Sequence, residues 1–186
     1  IGVAKVGLEQ FTRFGPSLVE EISSLGVRVF LDLKLHDIPN TVAKAVRAAA
    51  ELPIDFLTIH TLGGSRMMRA AAQAAQETQS RTGNAPRLIG VTVLTSVAES
   101  ELNEELRVTL PLGEYAAHLC RMAVASGLDG IVCSAADLPH LKPVLTPTME
   151  IITPGIRPAG SSADDQKRTA TPAEAIENGA TVLVIG

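Results

Sequence analysis

The sequence lacks the features that mark membrane proteins and nucleic-acid-binding proteins. No apolar run reaches the roughly 18 residues of a transmembrane helix, and no signal peptide precedes the first strand-like run. The 16 Lys and Arg residues are scattered among 20 Asp and Glu residues, and the net charge is −4. A basic surface for nucleic acid or an anionic membrane is therefore not expected, and neither partner is predicted.

Cysteine is also scarce. Cys120 lies in a predicted helix and Cys133 in a predicted strand, with no spacing typical of metal ligands. Buried, reduced thiols in a cytoplasmic protein are the prediction. The chain of 186 residues is 46% hydrophobic, which is enough for one substantial core.

Strand-like runs alternate with amphipathic helical segments along the whole chain. The runs cover residues 2–7, 27–35, 55–60, 87–94, 130–134, 149–155 and 181–186. This alternation predicts a parallel α/β sheet, and both a doubly wound sheet and a (β/α)8 barrel fit it. No dinucleotide-binding glycine fingerprint follows the first strand, and reactive residues end several different strands, so the barrel is favoured.

The predicted fold class is thus an α/β TIM (β/α)8 barrel, forming a single domain over residues 1–186. Both ends of the sequence look cut, because strand-like runs stand at each of them. The expected first strand and C-terminal helix of the barrel are missing from the sequence.

The segment "FLDLKLHDIPNT" at 30–41 places charges in an otherwise apolar strand. Side chains alternate along a strand, so Asp32 and Lys34 share a face, and Asp37 follows in the loop. Lys5 lies near the end of the preceding strand. Burying isolated charges costs several kcal/mol, so such groups are paired or functional. An ion-pair network that closes the barrel mouth and an active site are the two interpretations.

The chemistry of such a cluster favours decarboxylation. A lysine between carboxylates keeps its proton and is a proton donor rather than a nucleophile. The acids would repel an anionic group placed against them. Loss of a carboxylate, followed by protonation of the carbanion, suits this arrangement.

Six motifs, in the same order along the chain, resemble those of bacterial orotidine 5'-phosphate decarboxylases. They are "AKVG" at 4–7, "FLDLKLHDIPNT" at 30–41, "VTVLTS" at 91–96, "TPGIRP" at 153–158, "DDQ" at 164–166 and the terminal "VIG". The resemblance implies a (β/α)8 barrel that decarboxylates orotidine 5'-phosphate in de novo pyrimidine biosynthesis. It also implies a homodimer with shared active sites, and no metal or organic cofactor.

The resemblance implies a role for each charged residue of the cluster. Lys34 is the expected proton donor to C6 of the pyrimidine, and Asp32 is expected to face the departing carboxylate. Lys5 is expected to pair with Asp32 and reach the ribose. Asp37 and Thr41 are expected to project into the active site of the neighbouring subunit.

Further substrate contacts are implied along the chain. Ile38 and Thr95 match positions that bind the substrate, with the Thr95 hydroxyl on the pyrimidine. Arg157, Gln166 and the backbone of Gly186 match contacts to the phosphate. A ribose-binding Asp and a phosphate-binding Arg of the family would lie just outside the two ends, and a chain that truly stopped there is expected to have little activity.

Other polar residues are predicted to have structural roles. His36 is expected to give indirect hydrogen-bond support, His60 to pack or support a loop, and His118 and His140 to lie on the surface. The "GGS" turn at 63–65 is either an anion cradle or a tight turn capped by Ser65, and the capped turn is favoured. Residues 157–168 are either a mobile lid or an ordinary surface loop.

Two rival functions fit part of the sequence. A 3-keto-gulonate-6-phosphate decarboxylase is similar in the Asp-x-Lys-x-x-Asp core but requires a magnesium site, and no extra strand-end acid plainly supplies one. A non-catalytic nucleotide-phosphate-binding protein, or an inactive truncated barrel, is the rival from a different class.

Overall fold

Strands and helices alternate in the computed structural model, which describes residues 2–157 and 169–185. The strands are β1 (Val3–Gly7), β2 (Arg28–Leu35), β3 (Phe56–His60), β4 (Arg87–Val91), β5 (Gly130–Val132), β6 (Glu150–Thr153) and β7 (Val182–Leu183). The helices are α1 (Leu8–Phe14), α2 (Pro16–Ser24), α3 (Pro39–Ala49), α4 (Gly64–Thr82), α5 (Glu99–Glu104), α6 (Leu112–Ala125), α7 (Leu138–Leu141) and α8 (Pro172–Glu177). The predicted α/β alternation is confirmed. In the described part of the chain, every helix is too short or too polar to cross a membrane.

The described residues form two compact units. The first comprises residues 2–89 and 126–128. Its strand order is β1-β2-β3, followed by the start of β4. β1 runs parallel to β2, with Val3 opposite Arg28 and Gly7 opposite Asp32. Because parallel strands end at the same edge, the carboxyl ends of β1, β2 and β3 bring their last residues together.

The pairing of β2 with β3 is interrupted near the end of β2. The two strands are parallel and in register at Leu31, opposite Leu57, but the register shifts before Leu35, which is opposite Ile59. Lys34 lies inside this irregularity and has a positive φ of 49°. The regular pairing of the two strands is thus interrupted where the sequence places its charged residues.

Apolar side chains from the strands and from α2, α3 and α4 fill the core of the first unit. Phe30 and Phe56 meet edge to face, with ring centroids 6.0 Å apart. The fully buried members include Val19, Val29, Leu31, Val46, Leu57, Ile59, Met67, Met68, Ala71 and Ile89. β2 and β3 are therefore anchored on their apolar faces, which fixes where their other side chains point.

The second unit comprises residues 90–125, 129–157 and 169–185. It contains the end of β4 and the strand order β5-β6-β7. β5 is parallel to β6, and β6 is parallel to β7, with Ile152 opposite Val182. Its buried core includes Leu102, Ala116, Cys120, Ile131, Leu138, Leu141, Ile152 and Ala175.

Local sequence signals explain several helix ends. Pro16, Pro39 and Pro172 stand in the first turns of α2, α3 and α8, where a missing N–H costs nothing. α8 is preceded by Thr171, whose hydroxyl accepts a hydrogen bond from the Glu174 N–H at 3.3 Å. These features are readable from the sequence, and the helices lie between the strands as the predicted alternation requires.

Some predicted bounds were wrong. The fourth run was predicted as 87–94, but β4 ends at Val91; the sixth was predicted as 149–155, but β6 ends at Thr153. After β4 the apolar residues Val93 and Leu94 continue into the turn, so hydrophobicity alone overestimates this strand. After β6 the predicted run included Pro154 and Gly155, which are turn residues. Helix α1 was not predicted, because its seven residues are too few for a clear helical period.

The prediction that Ser65 caps the turn after β3 was also wrong. α4 begins at Gly64, so Ser65 lies inside its first turn, and Gly63 precedes the helix without a side-chain cap. A capping side chain must stand before the first turn to reach its free N–H groups. His60 is such a capping residue: it precedes the 3₁₀ turn Thr61–Gly63, and its side chain accepts a hydrogen bond from the Leu62 N–H.

Candidate active site

Asp32 and Lys34 form an ion pair at the carboxyl end of β2. The Lys34 Nζ donates to the Asp32 Oδ2 at 2.8 Å. The side chain of Asp32 is 12% exposed and that of Lys34 is 31% exposed, so the carboxylate is the more buried partner. As predicted from strand alternation, the two charges point to the same side of the strand.

The backbone of Lys34 is strained. A φ of 49° places this residue in the left-handed region, where a side chain costs about 1–3 kcal/mol. The rest of the strand must hold this conformation. Strain of this kind occurs at functional positions, and here it falls on the residue that the sequence singled out as the proton donor.

Lys5 reaches the same carboxylate from β1. Its Nζ lies 3.6 Å from the Asp32 Oδ2, the oxygen that also accepts from Lys34. Two ammonium groups therefore surround one carboxylate that is largely removed from water. The buried negative charge is compensated, which a carboxylate in this position requires.

Thr58 on β3 completes the hydrogen bonding of Asp32. Its hydroxyl donates to the Asp32 Oδ1 at 3.0 Å and accepts from the backbone N–H of Lys34 at 2.8 Å. The side chain is completely buried. Thr58 was not predicted from the sequence, although its position two residues before the strand-end His60 puts it on the face that carries strand-end chemistry.

His60 and His36 lie beside this cluster. Their ring centroids are 5.6 Å apart. Burial, and to a smaller extent the charges of His36 and Lys34, together lower the pKa of His60 from 6.5 to about 4. His60 is thus neutral at physiological pH, and its Nδ1 accepts from the Leu62 N–H at 3.4 Å. The prediction that His60 supports a loop is confirmed.

The predicted intersubunit residues are not part of the hydrogen-bonded cluster around Asp32. Asp37, Ile38 and Thr41 are exposed in the loop after β2 and in the first turn of α3. The Asp37 Oδ1 accepts a hydrogen bond from the Ile38 N–H at 2.6 Å. Within the part of the chain that the structure describes, Asp37 has no ion-pair contact with either lysine of the cluster. The structure brings together three of the four predicted charged residues and leaves Asp37 outside.

The other predicted contacts lie in the second unit or outside the described residues. Thr95 is half-buried in the turn that follows β4. Arg157 follows β6; its N–H donates to the Ala170 carbonyl at 2.9 Å and its Nη1 to the Ile156 carbonyl at 3.0 Å. Gln166 and Gly186, and the predicted lid beyond Arg157, lie outside the described residues.

Candidate metal ligands are dispersed over residues 2–157 and 169–185. No three His, Cys, Asp or Glu side chains are grouped there so as to hold a metal ion. The surface predictions for His118 and His140 are confirmed, since both are exposed on α6 and α7. The hydrogen-bonded cluster on β1, β2 and β3 is therefore the strongest candidate for chemistry.

Comparison with known proteins matches the whole chain to a family of decarboxylases. The family model described as "Orotidine 5'-phosphate decarboxylase / HUMPS family" matches residues 1–186. The chain belongs to the orotidine 5'-phosphate decarboxylase / HUMPS family. The resemblance inferred from the sequence motifs is thereby confirmed.

Individual relatives of this family cover almost the whole chain. The orotidine 5'-phosphate decarboxylase of Opitutus terrae is 51% identical over 185 residues, which is 98% of this chain and 77% of that protein. The enzyme of the same name from Salmonella newport is 50% identical over 182 residues, covering 98% of this chain and 73% of that protein. The chain thus spans about three quarters of the length of these family members.

A solved structure of the family confirms the fold class. The crystal structure of orotidine 5'-phosphate decarboxylase from Lactobacillus acidophilus has a TM-score of 0.84, at 38% identity over 98% of this chain and 76% of that chain. The α/β fold is that of the family's TIM barrels. In such barrels catalytic groups stand at the carboxyl ends of the strands, where Lys5, Asp32, Lys34 and Thr58 lie.

Proposed function

We propose that the chain is an orotidine 5'-phosphate decarboxylase, a carboxy-lyase that converts orotidine 5'-phosphate to UMP and CO2 in de novo pyrimidine biosynthesis. The observation that carries the proposal is the placement of two ammonium groups on one buried carboxylate, with Lys34 at 2.8 Å and Lys5 at 3.6 Å from the Asp32 Oδ2. Membership of the decarboxylase family supports it. The active site belongs to one proposed barrel domain covering residues 1–186.

The proposed reaction needs only groups of the protein. Asp32 faces the substrate carboxylate, and the bond between C6 and that carboxylate breaks to release CO2. The electron pair of the bond stays at C6, and Lys34 delivers its proton there to form the C6–H bond. Lys34 is already hydrogen-bonded to Asp32, so the donor is held in place before the reaction.

Lys5 and the phosphate contacts are proposed to position the substrate. Lys5 reaches the ribose, and Ile38 and Thr95 contact the substrate near the pyrimidine. Arg157, together with Gln166 and the backbone of Gly186, holds the phosphate, and residues 157–168 act as a lid. Because the phosphate is remote from the bond that breaks, contacts to it orient the substrate without touching the chemistry.

The decisive test is the Lys34→Ala variant. We expect the wild-type protein to release CO2 from orotidine 5'-phosphate and Lys34→Ala to lose this turnover while its unfolding midpoint stays near that of the wild type. Lys44→Ala is the matched control, because Lys44 is an exposed lysine on α3. Turnover by Lys34→Ala above the uncatalysed background would refute the proton-donor role. A wild-type protein that binds the nucleotide without turnover would instead support a binding protein.

The proposed active form is a homodimer in which Asp37 and Thr41 serve the neighbouring subunit. The support is that both residues are exposed, that Ile38 beside them is 67% exposed, and that the ion pairs of Lys34 and Lys5 among the described residues go to Asp32 and not to Asp37. A partner surface that covers Ile38 would bring Asp37 close to the partner's lysines.

Mixing two inactive variants tests the shared site. In a mixed dimer of Lys34→Ala and Asp37→Ala, one site carries both substitutions and the other carries neither. A statistical mixture should therefore recover about one quarter of the wild-type activity. No recovery after verified subunit exchange would place Asp37 in its own chain's site.

The reaction is proposed to need no metal or organic cofactor. This distinguishes it from the magnesium-dependent 3-keto-gulonate-6-phosphate decarboxylases with a similar core motif. Full turnover of orotidine 5'-phosphate after exhaustive chelation is expected. Loss of turnover that added Mg²⁺ restores would favour the magnesium-dependent alternative. A cytoplasmic location is part of the proposal and fits Cys120 and Cys133, which are buried and not joined in a disulfide.

A further inference from the structure

The Thr58 hydroxyl sits between the two residues that the proposed reaction uses. A hydroxyl has one donor hydrogen and two acceptor lone pairs. The Lys34 backbone N–H can only donate, so the Thr58 oxygen accepts there, at 2.8 Å. Its own hydrogen is then free for the Asp32 Oδ1, at 3.0 Å. Both bonds are made inside the protein, because Thr58 is completely buried.

The first of these bonds holds strained backbone. Lys34 has a φ of 49°, and the pairing of β2 with β3 shifts between Leu31 and Leu35. A residue in the left-handed region needs its surroundings to hold it there. The Lys34 N–H donates to the Thr58 side chain on β3. This hydrogen bond therefore ties β2 to β3 at the point where their backbone register shifts.

The second bond fixes the carboxylate of Asp32. The Oδ1 accepts from Thr58, while the Oδ2 faces the Nζ of Lys34 at 2.8 Å and that of Lys5 at 3.6 Å. Rotation of the carboxylate would break the Thr58 bond. The hydroxyl therefore determines which oxygen meets the lysines and at what angle.

We propose that Thr58 is a positioning residue for the Asp32–Lys34 pair. It acts through two bonds of one hydroxyl: one fixes the backbone of Lys34 and the other fixes the carboxylate of Asp32. The consequence for catalysis rests on the proposed decarboxylase function. The effect of Thr58 on the position of the Lys34 backbone does not depend on that function. It can be measured without substrate.

A role in packing alone is the alternative to be tested. Valine has nearly the shape of threonine but neither donates nor accepts, whereas serine keeps the hydroxyl and loses the methyl group. Thr58→Val therefore tests the loss of the hydroxyl, and Thr58→Ser tests the loss of side-chain volume. Thr78→Val is the matched control, since Thr78 is a buried threonine whose hydroxyl donates only to the helix carbonyl of Ala74, at 2.9 Å.

Steady-state kinetics with orotidine 5'-phosphate give the first measurement. Misplacing catalytic groups by a fraction of an ångström lowers the rate of the chemical step, so Thr58→Val should lower kcat by about 10- to 100-fold with KM changed by less than about threefold. Thr58→Ser should restore kcat to within about fivefold of the wild type, and Thr78→Val should leave it unchanged. Unchanged kcat in Thr58→Val, or equal losses in Thr58→Val and Thr58→Ser, would overturn the proposal.

Amide hydrogen exchange without substrate gives the second measurement. In Thr58→Val the Lys34 N–H loses its acceptor, so its exchange should become at least about tenfold faster, while exchange in the core of β3 stays at the wild-type rate. Unchanged exchange at Lys34 would overturn the positioning role even if the enzyme were slower. This result stands whether or not the protein turns over orotidine 5'-phosphate, so failure of the proposed function is distinguished from failure of this proposal.

Discussion

His60 should make the stability of the protein depend on pH between about pH 4 and 6.5. This histidine ends β3, is 8% exposed and lies beside His36 and Lys34. Burial, aided by these two neighbours, lowers its pKa from 6.5 to about 4. As the pH falls, the unfolded chain therefore takes up a proton on this residue before the folded protein does, and the folded state loses stability.

The magnitude follows from the two pKa values. Each unit of difference corresponds to about 1.4 kcal/mol, so the full loss is about 3 kcal/mol once the pH is below both values. Between pH 7 and pH 5 the unfolded state is mostly protonated and the folded state is not, and the expected loss is about 2 kcal/mol. Above pH 7 the contribution of His60 is constant.

Urea denaturation of the wild type and of His60→Asn at about pH 7, 6 and 5 measures this loss. Asparagine keeps an acceptor for the Leu62 N–H but does not titrate, so the variant isolates protonation from the hydrogen bond. The free-energy difference between the two proteins should shrink by about 2 kcal/mol from pH 7 to pH 5. His118→Asn, at an exposed position on α6, is the control for a general effect of removing a histidine.

One result would refute this reasoning. If the wild type and His60→Asn lose the same free energy of unfolding over this pH range, the imidazole is not kept neutral by its surroundings. The acid sensitivity of the protein would then arise from its carboxylates.

Three further predictions concern the core, the turn after β3 and the phosphate side of the site. Leu57→Ala should cost about 2–5 kcal/mol in the free energy of unfolding, because Leu57 is fully buried in β3; a smaller loss in urea denaturation would mean that the cavity collapses. Gly63→Ala should destabilise the fold by about 1–3 kcal/mol, since the new methyl group would collide with the buried side chain of Met67, and an unchanged thermal midpoint would show that Met67 moves aside. Arg157→Ala should raise KM and lower kcat for orotidine 5'-phosphate together, and unchanged kinetics would remove Arg157 from the site.

The ion pair of Asp32 and Lys34 shows what the alternation of side chains along a strand can predict and what it cannot. Residues two apart on a strand share a face, so the pairing follows from the sequence. The burial of Asp32 follows as well, because β2 is apolar on both sides of it. The φ of 49° at Lys34 does not follow, since nothing in "LDLKLHD" marks a left-handed residue there.

The sequence by itself determined the α/β alternation, the charged strand end and the motifs that place the chain in its family. These are local properties, fixed by the period of apolar side chains and by spacings of a few residues. Only the tertiary structure decided that Thr58, 24 residues from Lys34, bonds to both members of the Asp32–Lys34 pair, and that Asp37 lies exposed outside this cluster. Contacts between strands depend on register, and here the register shifts between Leu31 and Leu35, which hydrophobic periodicity cannot reveal.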